Sequence, residues 1–209
     1  MAKGRITEID LLRTVAIILM VIYHTAYDLY TFYDWHINLW GESWQTFRII
    51  TASLFLILSG IATNFSSKPL RRALIVLACA VLISITTYLY DPTTFIYFGI
   101  LHCIGLGMLL LIPLKKLREL NILIGIAILT LIPQIPAPLP TLDYYPIIPW
   151  IGLMMIGSGI GYYLYIRNNL RLPITYHLSL ITLPGRHALL IYVLHQPIIL
   201  ATLALLYSR

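Results

Sequence analysis

The chain has 209 residues, of which 59% are hydrophobic and only 11% charged. That mix lies far from the composition of soluble domains, so it excludes an ordinary soluble enzyme and leaves a polytopic helical membrane protein. The formal charge of +6 does not call for nucleic acid as a partner, because the basic residues fall between apolar runs, where they read as a topology signal. At roughly 20 residues per span, about seven helices fit. No room is left for an added soluble domain, and residues 1–209 are expected to form one transmembrane domain.

The first apolar stretch, Ile6 to Tyr30, carries Asp10, Arg13, His24 and Asp28 within sequence that otherwise suits lipid. At about 100° per residue, the step from Arg13 to His24 turns about 1100°, some 20° beyond three full turns. Asp10, Arg13, Met20, His24 and Asp28 therefore share one helical face. Ionisable groups in a span are costly and normally face a cavity or a partner helix. His24 and Asp28 also stand four residues apart, a spacing at which they can simply satisfy each other. Lys3 and Arg5 before this run resemble the start of a secretory signal. The run is nevertheless long and polar-striped, with no Ala-x-Ala cleavage pattern, and it is expected to stay as the first helix.

Seven spans follow in order, at 10–30, 47–65, 71–90, 95–113, 120–134, 147–166 and 187–207. The fifth is short, closed by Pro133, Pro136, Pro138 and Pro140. Of the 14 Lys and Arg residues, all but Arg48 and Arg209 fall in alternate segments, at 3–13, 68–72, 115–118 and 167–186. This positive-inside asymmetry gives a cytoplasmic N-terminus and an external C-terminus. The external segments differ in chemistry. Residues 31–46 hold Trp35, Trp40, Trp44, His36 and two acids without Lys or Arg, and residues 135–146 are rich in Pro and Tyr. Aromatic rings at these places form an interfacial belt or stack on a sugar.

His24, His102 and His195 fall at comparable depths, His102 about 10 Å inside the fourth span at 1.5 Å per residue. Pro197 removes a backbone N–H and frees the carbonyl of Val193 beside His195. Three chemistries fit such histidines: metal ligation with Asp28 as a fourth ligand, a proton relay in a transporter, or general-base catalysis with Asp28 fixing the tautomer of His24. For each histidine alone, a hydrogen-bonded contact between helices is the simpler account. Glycines at 99, 105 and 107, and at 152, 157, 159 and 161 with Ser158, point to close helix packing. Arg13, Arg72 and Arg186 sit at span mouths, where guanidinium groups suit bidentate contacts to phosphate.

Four ordered segments carry a family resemblance: EIDLLRTVAIILMVIYH (8–24), FGILHCIGLG (98–107), DYYPIIPWIGLMMIGSGIG (143–161) and GRHALLIYVLHQPI (185–198). They resemble the heparan-alpha-glucosaminide N-acetyltransferase catalytic-domain family in its short prokaryotic form. Arg13 and His24 also reproduce an Arg, ten residues, His pattern of the related acyltransferase-3 proteins. The resemblance implies a multi-pass enzyme of a prokaryotic plasma membrane. Such an enzyme takes an acyl group, typically acetyl, from cytoplasmic acetyl-CoA and delivers it to an amino group or hydroxyl of a sugar-like acceptor at the external face.

In that scheme His24 is the leading general base or acyl acceptor, Asp28 its partner, and Arg13, Arg72 and Arg186 the contacts for the cofactor's phosphates. His102, His195 and the adjoining Gln196 line the path or orient the acceptor. In the lysosomal branch an asparagine stands near the place of His24 and the catalytic histidine falls about where Trp35 and His36 stand, so His36 is the second candidate. No metal is expected, and a homodimer is compatible with the family. The rival reading is a small-molecule or proton-coupled transporter built on the same polar stripe. The lysosomal relatives carry a further luminal domain that this sequence lacks, so heparan sulfate itself is not the expected acceptor.

Overall fold

The computed structural model describes residues 6–170 and 180–208. Eight α-helices occur among them: α1 (Thr7–Phe32), α2 (Glu42–Thr63), α3 (Pro69–Tyr90), α4 (Ile100–Leu114), α5 (Leu120–Leu131), α6 (Ile147–Gly161), α7 (Leu183–Arg186) and α8 (Ala188–Tyr207). A single 3-10 turn, Lys115–Leu117, follows α4, and α6 runs on as a π-helical turn, Tyr162–Arg167. The described residues contain no strand, only one parallel bridge between Phe98 and Tyr144.

Six of these helical segments are long and apolar enough to cross a bilayer, counting α4 with its 3-10 turn and α6 with its π turn. The fifth expected span is α5, with 12 residues. At 1.5 Å per residue it is about 18 Å long, short of the ~30 Å hydrocarbon core. Lys3, Arg5, Arg171 and Arg209, which count toward the charge asymmetry, lie outside the described residues. Among the others, Lys68, Arg71 and Arg72 flank the start of α3, and Lys115, Lys116 and Arg118 sit between α4 and α5.

The chain forms two compact units. The described residues of one are 56–170, holding the end of α2 with α3 to α6. Its helices meet through small residues. The backbone of α6 touches α2 at Gly157 against the Ile57 carbonyl, at Met154 against Gly60 and at Gly161 against Ile61, and Gly125 of α5 meets Gly152 of α6 backbone to backbone. Without a hydrophobic drive between helices in lipid, this close approach is what makes dispersion contacts strong. A Cβ at Gly157 would strike the Ile57 backbone carbonyl, which cannot swing aside like a side chain. Gly157→Val is therefore expected to cost about 1–3 kcal/mol or more, read as a lower thermal midpoint in detergent; an unchanged midpoint would refute the packing account.

The fourth helix begins later than the sequence suggests. Its expected start at residue 95 moves to Ile100, because residues 94–98 are paired elsewhere. Leu142 N–H donates to the Thr94 carbonyl at 3.0 Å, Tyr145 N–H to the Phe98 carbonyl at 3.1 Å, and Thr141 Oγ1 to the Phe95 carbonyl at 2.8 Å. The Asp143 carboxylate then accepts the Ile100 N–H at 2.9 Å, closing the helix N-terminus. The turn before it is held at Asp91, whose carboxylate accepts from the Thr93 and Thr94 hydroxyls and the Thr93 N–H. Those bonds hold its pKa below the ordinary carboxylate value.

The described residues of the other unit are 6–55 and 180–208, so that α1 lies with α7, α8 and the start of α2. Here α1 buries Ile9, Ala16, Ile17, Met20 and Ala26, while Leu12, Val15, Ile18 and Ile22 stay exposed. Its polar stripe turns inward with the first set, since Asp10 and Asp28 are almost completely buried. Thr14 fastens α7 to α1: its hydroxyl accepts the Gly185 N–H at 3.0 Å and donates to the Ile181 carbonyl at 2.9 Å. Gly185 lies directly on the Asp10 carbonyl, a contact any side chain would block.

Candidate active site

The polar stripe of α1 divides into two stations. At the lower one, Arg13 Nη1 donates to Asp10 Oδ1 at 3.2 Å, and the same turn receives Gly185. Arg186, the next residue in α7, is exposed. Two of the three arginines expected to meet phosphate thus belong to one α1–α7 crossing. The third, Arg72, is exposed in the first turn of α3 in the other unit.

The upper station joins α1 to α8. The ring of His24 stands edge-on to that of His195, with centroids 4.7 Å apart and planes at 63°. One turn further along α1, both oxygens of Asp28 accept from Gln196 Nε2, at 2.8 and 2.9 Å. These four side chains come from positions 24 and 28 of one helix and 195 and 196 of another. Asp28 is 1% exposed, and a buried carboxylate demands such donors. The i,i+4 spacing along α1 pairs Asp28 with His24. The structure gives its hydrogen bonds to Gln196 across the helices, and no hydrogen bond joins Asp28 to His24 among the described residues.

The orientation of His195 follows from its partners. Its Nδ1 bonds the Tyr192 carbonyl. A carbonyl only accepts, so in the neutral ring Nδ1 carries the proton and Nε2 the lone pair. That Nε2 is buried and has no partner among the described residues, as does Gln196 Oε1. The ring also meets that of Tyr192 at a tilt, and Tyr192 is itself edge-on to Phe55 of α2. Tyr23, beside His24, reaches Trp44 of α2 at 6.2 Å.

His102 sits differently. In the first turn of α4, rather than about 10 Å inside a span, its Nδ1 accepts the Gly99 N–H at 3.2 Å and its Nε2 stands 3.3 Å from Ser84 Oγ. It stacks on Phe98. Both ring nitrogens therefore have partners within the unit of α3 to α6, contacts that helical depth along one span does not encode.

His36 lies in the segment after α1, exposed, and lines an open cavity of about 480 Å³ with Tyr27, Tyr30, Thr31, Asp34 and Trp35. Asp34 takes a left-handed conformation, φ 54°, at the turn that folds this wall. The cavity is aromatic and carries one carboxylate, features suited to the faces and hydroxyls of a sugar ring. Among the described residues no group of three or more His, Cys, Asp or Glu side chains is placed to hold a metal ion.

What the upper station can do chemically is move a proton: it offers imidazole lone pairs and a bonded carboxylate in an apolar setting. Residues 5–197 match the family model described as heparan-alpha-glucosaminide N-acetyltransferase, catalytic. No curated protein matches the chain, and no solved structure does.

Proposed function

We propose, from the premise that this chain belongs to the heparan-alpha-glucosaminide N-acetyltransferase catalytic family, that it transfers an acyl group across a membrane. The donor is a cytoplasmic acyl-CoA, with acetyl as the acyl group. The acceptor is an amine or hydroxyl of a sugar-like molecule at the external face. Residues 1–209 act as one domain in a prokaryotic plasma membrane, with α5 as a short seventh crossing, the N-terminus cytoplasmic and the C-terminus external. The distribution of Lys and Arg supports that orientation.

The observation that carries the reading is the meeting of His24 and His195 beside the Asp28–Gln196 pair, inside helices that otherwise suit lipid. Unpaid polar groups are expensive there, and such clusters mark function. His24 takes the proton as the acceptor nitrogen or oxygen attacks the thioester carbonyl carbon. The carbon–sulfur bond then breaks, and the CoA thiolate leaves and is protonated. Arg13 and Arg186, at the α1–α7 crossing, bind the phosphates of CoA, as planar guanidinium forks do well. The sugar ring of the acceptor stacks in the cavity of Tyr27, Tyr30 and Trp35, with Asp34 on its hydroxyls. His36, on the same wall, is the second candidate for the base.

The decisive first experiment is thermal unfolding of the detergent-purified protein with acetyl-CoA. A ligand at about 100 times its Kd stabilises the folded state by about 2.7 kcal/mol. Millimolar acetyl-CoA is expected to raise the midpoint by several degrees, whereas acetate at the same concentration leaves it unchanged. Absence of any shift would overturn the acyl-CoA reading.

A further inference from the structure

The upper station contains an unfinished hydrogen bond. His195 is 8% exposed, its Nδ1–H is committed to the Tyr192 carbonyl, and its Nε2 lone pair is buried without a partner. Buried acceptors in native proteins are nearly always satisfied. The ring in contact with it from α1 is that of His24, at 4.7 Å between centroids. His24 is half-buried and makes no hydrogen bond among the described residues. The carboxylate that would otherwise orient it, Asp28, has both oxygens occupied by Gln196. The two rings are in edge contact, and χ2 of a histidine is a broad torsion with no single staggered well.

We infer that His195 is the positioning residue of His24: its bare Nε2 accepts one N–H of the His24 ring and so turns the other His24 nitrogen, as a lone pair, toward the reacting acceptor. The inference rests on His24 being the group that acts on substrate. The chain of bonds then runs from the Tyr192 carbonyl through His195 to His24. It gives the role usually held by a carboxylate to a second imidazole whose own tautomer is fixed by backbone. A neutral acceptor serves well in an apolar helix pair, because it orients the base without adding a second buried charge.

The test compares His195→Leu with His195→Gln in the full-length protein, using acetyl-CoA as donor and glucosamine as acceptor. The Gln side chain places its carbonyl oxygen near the former position of Nε2, whereas Leu fills the space without an acceptor. His195→Leu is expected to lower kcat about 10- to 100-fold with little change in KM for acetyl-CoA, the size of effect seen when an orienting partner is lost. His195→Gln is expected to recover most of it. Two variants equally active or equally impaired would overturn the inference.

A second readout needs neither variant nor turnover. In protein labelled with ring-15N histidine, His24 is expected to show one tautomer and a 15N–15N coupling to His195 across the hydrogen bond. Two exchanging tautomers without that coupling would overturn the inference, even where transfer is active. Conversely, a protein with the coupling and no consumption of acetyl-CoA would sink the acyltransferase reading and leave the histidine pair standing.

Discussion

His24→Ala is expected to abolish acyl transfer, with a loss of about 10²–10⁴-fold, the range a positioned general base supplies. Stability should change little, because the half-buried His24 ring makes ring contacts but no hydrogen bond among the described residues. Release of CoA from acetyl-CoA in the presence of glucosamine reads the first quantity, and thermal unfolding the second. Full activity in the alanine variant would discard His24 as the base. His36→Ala, measured alongside, decides between the two candidates: a variant that loses transfer while His24→Ala retains it would move the chemistry to the cavity of Tyr27, Tyr30 and Trp35. A third outcome, loss in both, fits a base on α1 and an acceptor held by the aromatic wall.

Much of the helical architecture was legible because lipid imposes long apolar runs, and length with hydropathy recovers α1, α2, α3 and α8 to within a few residues. The error at α4 has a physical source. Residues 95–99 are apolar enough to continue a span, but they pair with residues 141–145, a contact between distant parts of the chain that periodicity does not encode. Gly99, extended at φ −85° and ψ −175°, and the Asp143 cap then fix the true start. That shift brings His102 into the first turn and gives both its nitrogens local partners.

For the candidate site, helical spacing reaches positions along α1 but no pairing between helices. Helical spacing put His24 and Asp28 on one face of α1, and Asp28 is indeed buried. The natural partner along the same helix was His24, four residues away. The observed partner is Gln196, 168 positions later, and no single-helix argument reaches it. The signal available was the HQP sequence itself: two hydrogen-bonding side chains in succession, just before a proline that frees a helical carbonyl. The glycines of α6 point to close packing in the sequence, and Gly152 and Gly157 do meet neighbouring backbone.

The pair Asp28–Gln196 yields the second large effect, and it separates architecture from chemistry. Gln196→Leu removes the Nε2 donor that serves both oxygens of a carboxylate that is 1% exposed. The uncompensated acceptor should cost about 1.5–3 kcal/mol, the range for hydrogen bonds to charged groups. Asp28→Leu leaves the Gln196 amide with nothing to bond, its Oε1 being already without a partner among the described residues, and should cost about 1–3 kcal/mol. The double variant Asp28→Leu, Gln196→Leu replaces both polar groups by apolar ones of similar size, a change that is often neutral or stabilising. Its midpoint in detergent is therefore expected near that of the native protein, with a coupling of about 1–3 kcal/mol between the sites. Simple addition of the two losses would show that the pair is not a unit. If the double variant folds well yet fails to release CoA from acetyl-CoA, the carboxylate and amide beside His24 serve the reaction. Retained transfer would instead assign them to joining α1 with α8.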